Sequence, residues 1–181
     1  IIRNVGKAEV KGAEFEFAAL LSDIFQIDGS VTYLDALFTE GELTEPLRPA
    51  PLTQDPGSLL RNLDGLRLPR APEWKMNVGA QADFSAFGGD VTLRADYAWQ
   101  DEIFFTVFNI KAASQDSYGV VRARATYAPA SGRYKVALFG ENLSDETYFT
   151  NQILTGTTYG AEFVGSLGAP RTFGLELSTQ F

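Results

Sequence analysis

Apolar and polar residues alternate with a period of two along most of the chain. In "AEFEFAALL", Ala13, Phe15, Phe17, Ala19 and Leu21 share one parity, and Glu14 and Glu16 take the other. "IDGSVTYL" sets Ile27, Val31 and Tyr33 against Asp28, Ser30 and Thr32. "EWKMNVGAQADF" opposes Trp74, Met76, Val78, Ala80, Ala82 and Phe84 to Glu73, Lys75, Asn77, Gln81 and Asp83. In "DVTLRADYAWQ", Val91, Leu93, Ala95, Tyr97 and Trp99 face Thr92, Arg94, Asp96 and Gln100. "GVVRARATY" places Val121, Ala123, Ala125 and Tyr127 opposite Arg122, Arg124 and Thr126. "RYKVALFGEN" is less decided, with Tyr134, Val136 and Leu138 against Lys135, Ala137, Phe139 and Glu141. The chain ends on "PRTFGLELSTQF", where Phe173, Leu175, Leu177, Thr179 and Phe181 share a face. This periodicity predicts seven strands and no helix.

The connections fall into two kinds. "SDIFQ", "SAFGG" and "APASGR" are short and rich in turn-forming residues. The stretches from Thr39 to Pro72, from Phe104 to Asp116 and from Ser144 to Ala169 are long, and loops of that size are usually functional. Alternating strands of about ten residues, with short turns at one end and long loops at the other, describe an outer-membrane β-barrel. Ten residues at about 3.3 Å each, tilted near 45°, span roughly the 25 Å apolar band. Alternation alone also fits a soluble β-sandwich with its apolar face turned inward. The aromatics favour the barrel over the sandwich without deciding between them, because Trp74, Phe84, Tyr97, Trp99, Tyr127, Tyr134, Phe173 and Phe181 lie near strand ends, as in an aromatic girdle.

Composition narrows the chemistry. The 181 residues carry a net charge of −8, which argues against nucleic acid as a partner. No cysteine and no histidine is present, so disulfides, thiolate nucleophiles, Ser-His-Asp catalysis and the usual zinc ligands are excluded together. No catalytic, metal or cofactor-binding residue is expected, and the chain does not read as an enzyme. No apolar run reaches the roughly 18 residues of a transmembrane helix. The first residue is Ile rather than Met, so the sequence is expected to begin partway along a longer product.

"FGENLSDETYF" (Phe139 to Phe149), followed by the terminal "PRTFGLELSTQF", resembles the C-terminal end of TonB-dependent outer-membrane receptors. "NVGKAEVKGAEFEF", "LDGLRLPRAPEWKMNVGAQADF", "RADYAWQDEIFF" and "DSYGVVRARATY" are similar to earlier stretches of the same family, in the same order. The resemblance covers essentially all of residues 1–181, which are expected to form a single partial domain. It implies an all-β fold: an antiparallel transmembrane β-barrel segment of about seven strands, the last of a 22-stranded barrel, without the plug domain or the TonB-contacting segment. Such receptors import scarce nutrients, most commonly ferric siderophores, with energy from TonB. The implied partners are outer-membrane lipid, the rest of the barrel and its plug, the TonB system, the barrel-assembly machinery and a small-molecule ligand. Corrinoids, haem and carbohydrates are carried by similar receptors, although no histidine here could ligate haem. A small self-contained barrel or a soluble β-sandwich used for binding or adhesion is the alternative.

Three groups of residues are singled out on this reading. Glu14, Glu16, Arg94, Asp96, Arg122, Arg124, Glu141 and Glu176 fall on the polar parity and are expected to face the lumen. They form either a network of opposite charges across neighbouring strands or contacts to the plug or the passing substrate. Arg61, Arg67, Phe104, Phe105 and Phe108 lie in the long loops and are candidates for ligand capture, the alternative being a solvated lid. Phe173, Leu175, Leu177 and Phe181 resemble the terminal signal by which outer-membrane proteins are recognised for assembly. Asn142-Leu143-Ser144 matches a glycosylation pattern, but Asn142 and Asp145 are better read as shaping the turn that leaves a strand.

Overall fold

The computed structural model describes residues 6–45, 60–155 and 162–179. Its main strands are β1 (Gly6–Ser22), β2 (Phe25–Thr44), β4 (Trp74–Ala86), β5 (Gly89–Gln100), β8 (Tyr118–Pro129), β9 (Tyr134–Glu141) and β12 (Thr172–Thr179). These correspond to the seven strands predicted from alternation. They pair in the order β1-β2-β4-β5-β8-β9-β12, each pair antiparallel. Among the described residues β1 and β12 are the two edges, so the sheet is open.

The register keeps one parity on one face across all seven strands. Ala19, Ile27, Ala80, Ala95 and Ala123 lie in one rung, continued by Gly140 and Phe173. A second apolar rung runs Phe25, Ala82, Leu93, Ala125, Leu138 and Leu175. Aromatics mark both ends of this face. Tyr33, Trp74, Tyr97 and Trp99 stand at the long-loop end, with the Tyr33 and Trp74 rings 4.9 Å apart. Phe25, Phe84, Tyr127 and Tyr134 stand at the short-turn end. The ten steps from Trp74 to Phe84 rise about 24 Å for a strand tilted near 45°.

No second layer covers the apolar face among the described residues. Leu138, Leu175 and Leu177 are 59%, 69% and 65% exposed. A sandwich would bury these side chains between two sheets, and among the described residues no second sheet does so. Residue Phe139 breaks the parity of β9 for a local reason. Its ring lies on the polar face over Gly174, which has no side chain to displace it.

The structure departs from the sequence reading in the long connections. β1 and β2 run well past the apolar band, and their faces exchange character there. Glu9, Lys11 and Asp35 continue the apolar parity, while Ala36 and Phe38 continue the polar one and are buried. Phe38, Leu63 and Phe108 form a small core beyond the band, with Leu43, Leu66, Leu68, Val107 and Ile110 packed around it. Short strands were too brief to show as alternation: β3 (Leu60–Asn62) pairs with β2, β6 (Ile103–Phe104) with β7 (Ser114–Gln115), and β10 (Phe149–Leu154) with β11 (Phe163–Leu167). Among the described residues the one helical element, Lys111–Ala113, is a single 3-10 turn.

Candidate functional site: the polar face and the loop cap

Arg94 is the hub of the polar face. Its guanidinium donates to Asp28 Oδ1 at 2.5 Å and Asp28 Oδ2 at 2.9 Å, and to Asp96 Oδ1 at 2.6 Å. Asp28 is on β2, two strands from Arg94, so the side chain must cross β4. It crosses at Gly79, the β4 residue paired with both Asp28 and Asp96. A Cβ added to Gly79 would stand 1.9 Å from Arg94 Nη2 and 2.8 Å from Asp96 Oδ1. The missing side chain is therefore what lets one arginine bridge two carboxylates.

Gly79→Ala should expel that guanidinium and destabilise the folded chain by about 1–3 kcal/mol, the cost of leaving partly buried charges unpaired. Arg94→Gln should cost a similar amount, and the double variant little more than either single one, because both remove the same bridge. Urea unfolding of the three variants checks this, and full additivity would contradict it.

The other predicted polar-face residues fall on the same side. Arg124 pairs with Glu176 at 2.8 Å across β9 and lies 5.7 Å over the Phe139 ring. Arg122 reaches Glu141 at 3.8 Å. Glu14 accepts a bond from Thr32 Oγ at 3.4 Å, and Glu16 sits opposite Ser30 on edge strand β1. Arg94 and Arg124 are direct register partners, so each is balanced by carboxylates on other strands, and exposed pairs such as Arg122–Glu141 and Arg124–Glu176 contribute little each.

The long connections are tied to one another by side-chain amides. Asn109, at φ +49°, accepts the Arg67 N–H through Oδ1 at 2.7 Å and donates Nδ2 to the Arg67 carbonyl at 2.9 Å. Gln115 Oε1 accepts the Phe149 N–H at 2.7 Å. The Arg70 N–H donates to the Phe104 carbonyl at 2.9 Å, while its guanidinium reaches Asn151. At the root of this cap the Tyr118 and Tyr148 rings stack at 4.2 Å. Lys111 lies between Glu102 at 2.5 Å and Asp116 at 2.6 Å, and both carboxylates hold its pKa above the ordinary lysine value.

The five loop candidates have different surroundings. Arg61 pairs with the buried Glu45 at 3.0 Å, and Arg67 pairs with Glu73. Phe104 and Phe105 are half-buried on the hairpin of β6, whereas Phe108 is inside the loop core. Phe173, Leu175 and Leu177 lie exposed on the apolar face; Phe181 lies outside the described residues, as does the stretch 46–59. Asn142 does shape its turn, donating to the carbonyls of Glu146 and Ala169 at 2.8 and 3.0 Å. Asp28, Gly79 and Asn109 were missed as site residues. Each acts on a partner distant in sequence, and only the strand register brings the two together.

Comparison with known proteins adds family and fold. The family model described as TonB dependent receptor-like, beta-barrel, matches residues 1–143. Comparison with curated proteins gives no match. Among solved structures, the chain is similar to the ferric yersiniabactin uptake receptor FyuA of Yersinia pestis. The TM-score is 0.77 at 18% identity, over 98% of this chain and 24% of the receptor. It is similar to the siderophore receptor PiuA of Acinetobacter baumannii, with a TM-score of 0.70 at 21% identity, over 96% of this chain and 22% of that one. BauA, the ferric preacinetobactin receptor of the same organism, gives 0.69 at 22% identity, over 98% and 23%. The chain therefore spans about a quarter of the length of these receptors. An open, two-faced antiparallel sheet and a family match over most of its length agree: the chain belongs to the TonB-dependent receptor β-barrel family of the outer membrane.

Proposed function

We propose that residues 1–181 are the C-terminal part of the barrel wall of a receptor that binds a ferric siderophore and imports it with TonB-supplied energy. The observation that carries this reading is the continuous two-faced register, with no covering layer on its apolar side among the described residues. That face meets lipid between the two aromatic belts, and the face bearing Arg94, Arg122 and Arg124 lines the lumen. The short turns lie on the periplasmic side and the cap of long connections on the outside. The remaining barrel strands, the plug and the TonB-contacting segment belong to the rest of the receptor. FyuA, PiuA and BauA, which share the fold, are by name a ferric yersiniabactin uptake receptor, a siderophore receptor and a ferric preacinetobactin receptor. The barrel-assembly machinery reads the terminal strand, with Phe173, Leu175, Leu177 and Phe181 as the signal.

Ligand capture falls to the half-buried loop residues. Phe104 and Phe105 offer ring faces, and Arg61 and Arg67 offer cations. Phe108 is spent on the loop core and acts by holding the others in place. The test is growth under iron limitation on a panel of ferric siderophores, using a strain with the complete receptor and one without it. Loss of growth on one siderophore is expected in the second strain. Exchange of residues 101–117 for the corresponding loop of another receptor should change which siderophore supports growth. Identical growth of the two strains on every siderophore would contradict the reading.

A further inference from the structure

The turn between β4 and β5 breaks a strong local rule. Ala86 pairs with Gly89, which leaves a two-residue turn of Phe87 and Gly88. Both have positive φ, +56° and +74°, as a type I′ turn requires. Asn, Asp or Gly is the residue for the first position, because a side chain there is strained in the left-handed region. Phenylalanine is therefore out of place, and it gains nothing from the rest of the chain: Phe87 is 91% exposed, more than any other large hydrophobic residue described.

The strained conformation is nonetheless held. The Tyr127 ring passes over Gly89, where a Cβ would come within 2.8 Å of it, and its hydroxyl donates to the Phe87 carbonyl at 2.8 Å. Tyr127 is on the apolar face, so this bond draws the turn toward the same side as Phe84 and Tyr127 itself. The neighbouring hairpin brings Leu21, Ile24 and Phe25 to the same end, all exposed. The turn between β8 and β9, "ASGR", carries no large apolar residue.

We propose that Phe87 is a membrane anchor, inserted into the phospholipid of the periplasmic leaflet just beyond the aromatic belt. Transfer of an exposed phenylalanine ring into lipid supplies the gain that the folded chain does not, and it offsets the backbone strain. Continuity with the belt formed by Phe25, Phe84 and Tyr127 names lipid, rather than a protein, as the occupant. The inference rests on the apolar face meeting lipid, so its test carries a separate control for that reading.

The chain has no cysteine of its own, which suits nitroxide labelling. In the complete receptor, freed of any other cysteine, labels are placed singly at Phe87→Cys, Leu93→Cys and Ser131→Cys. The receptor is reconstituted into phosphatidylethanolamine–phosphatidylglycerol vesicles, and collision rates with oxygen and with a neutral nickel chelate are compared. At Phe87 oxygen should exceed nickel several-fold, as at Leu93 within the apolar band, while Ser131 should favour nickel. Nickel access at Phe87, or protection from both reagents as under a protein partner, with Leu93 lipid-like, would overturn the anchor alone. Loss of the lipid signature at Leu93 would overturn the facing reading and the anchor with it. Phe87→Gly gives a second measurement. Relief of strain alone predicts unchanged or higher stability in vesicles, whereas the anchor predicts a lower one.

Discussion

Replacement of Leu63 by alanine should release the outer loops while leaving the sheet intact. Leu63 is fully buried between Phe38 and Phe108, in a core so small that nothing can move in to fill the space. Truncating a buried leucine costs about 2–5 kcal/mol, depending on how far the site collapses. The effect should be local because the core joins only β2 and the connections. Backbone bonds from Phe38 N–H to the Leu66 carbonyl, from Gly65 N–H to the Phe38 carbonyl and from Leu68 N–H to the Ala36 carbonyl all flank it, each at 2.9 Å. Hydrogen exchange at Phe38, Gly65 and Leu68 should accelerate by about 30-fold or more, the equivalent of the lower figure. Amides in β4 and β5 should keep their rates. Unchanged exchange at the three flanking amides would mean that the cluster does not hold the cap.

The strands were legible in the sequence because the two faces of each meet different surroundings along the whole apolar band. β4 and β5 show this best, with Trp74 to Phe84 and Val91 to Trp99 keeping strict parity. β9 was ambiguous because Phe139 occupies the polar side, an arrangement that makes sense only with Gly174 opposite it on β12. Past the band the rule lapses. Phe38 shares the parity of Asp28 and Ser30, and its burial there is explained only by Leu63 and Phe108, which pack against it.

Of the polar-face residues, Arg94 and Asp96 could be named from parity alone, but Asp28 and Gly79 needed the register that joins residue 28 to residue 94. The loop cap was the least legible part. Asn109 holds a backbone group 42 positions away, through an amide geometry that no sequence pattern announces. Phe108 and Phe105 looked equivalent in "DEIFFTVF", and only packing sends one inside and leaves the other half-exposed.

The claim on which the rest depends is that the apolar face of this sheet meets lipid and the polar face does not. A charge at Ala95 should therefore be costly. Ala95 lies in the alanine rung between the two aromatic belts, flanked by Ala80 and Ala123. Arginine on the lipid side near the bilayer midplane costs about 2–4 kcal/mol. Asn77, on the opposite face between Ser30 and Ala98, gives the matched control. An arginine there has water and the carboxylates of Glu16, Asp28 and Asp96 on the same face, and little change is expected. The measurement is the unfolding free energy of Ala95→Arg and Asn77→Arg receptors in lipid vesicles. The account predicts a loss of about 2–4 kcal/mol for Ala95→Arg and a small change for Asn77→Arg; equal effects, or the reverse order, would contradict it.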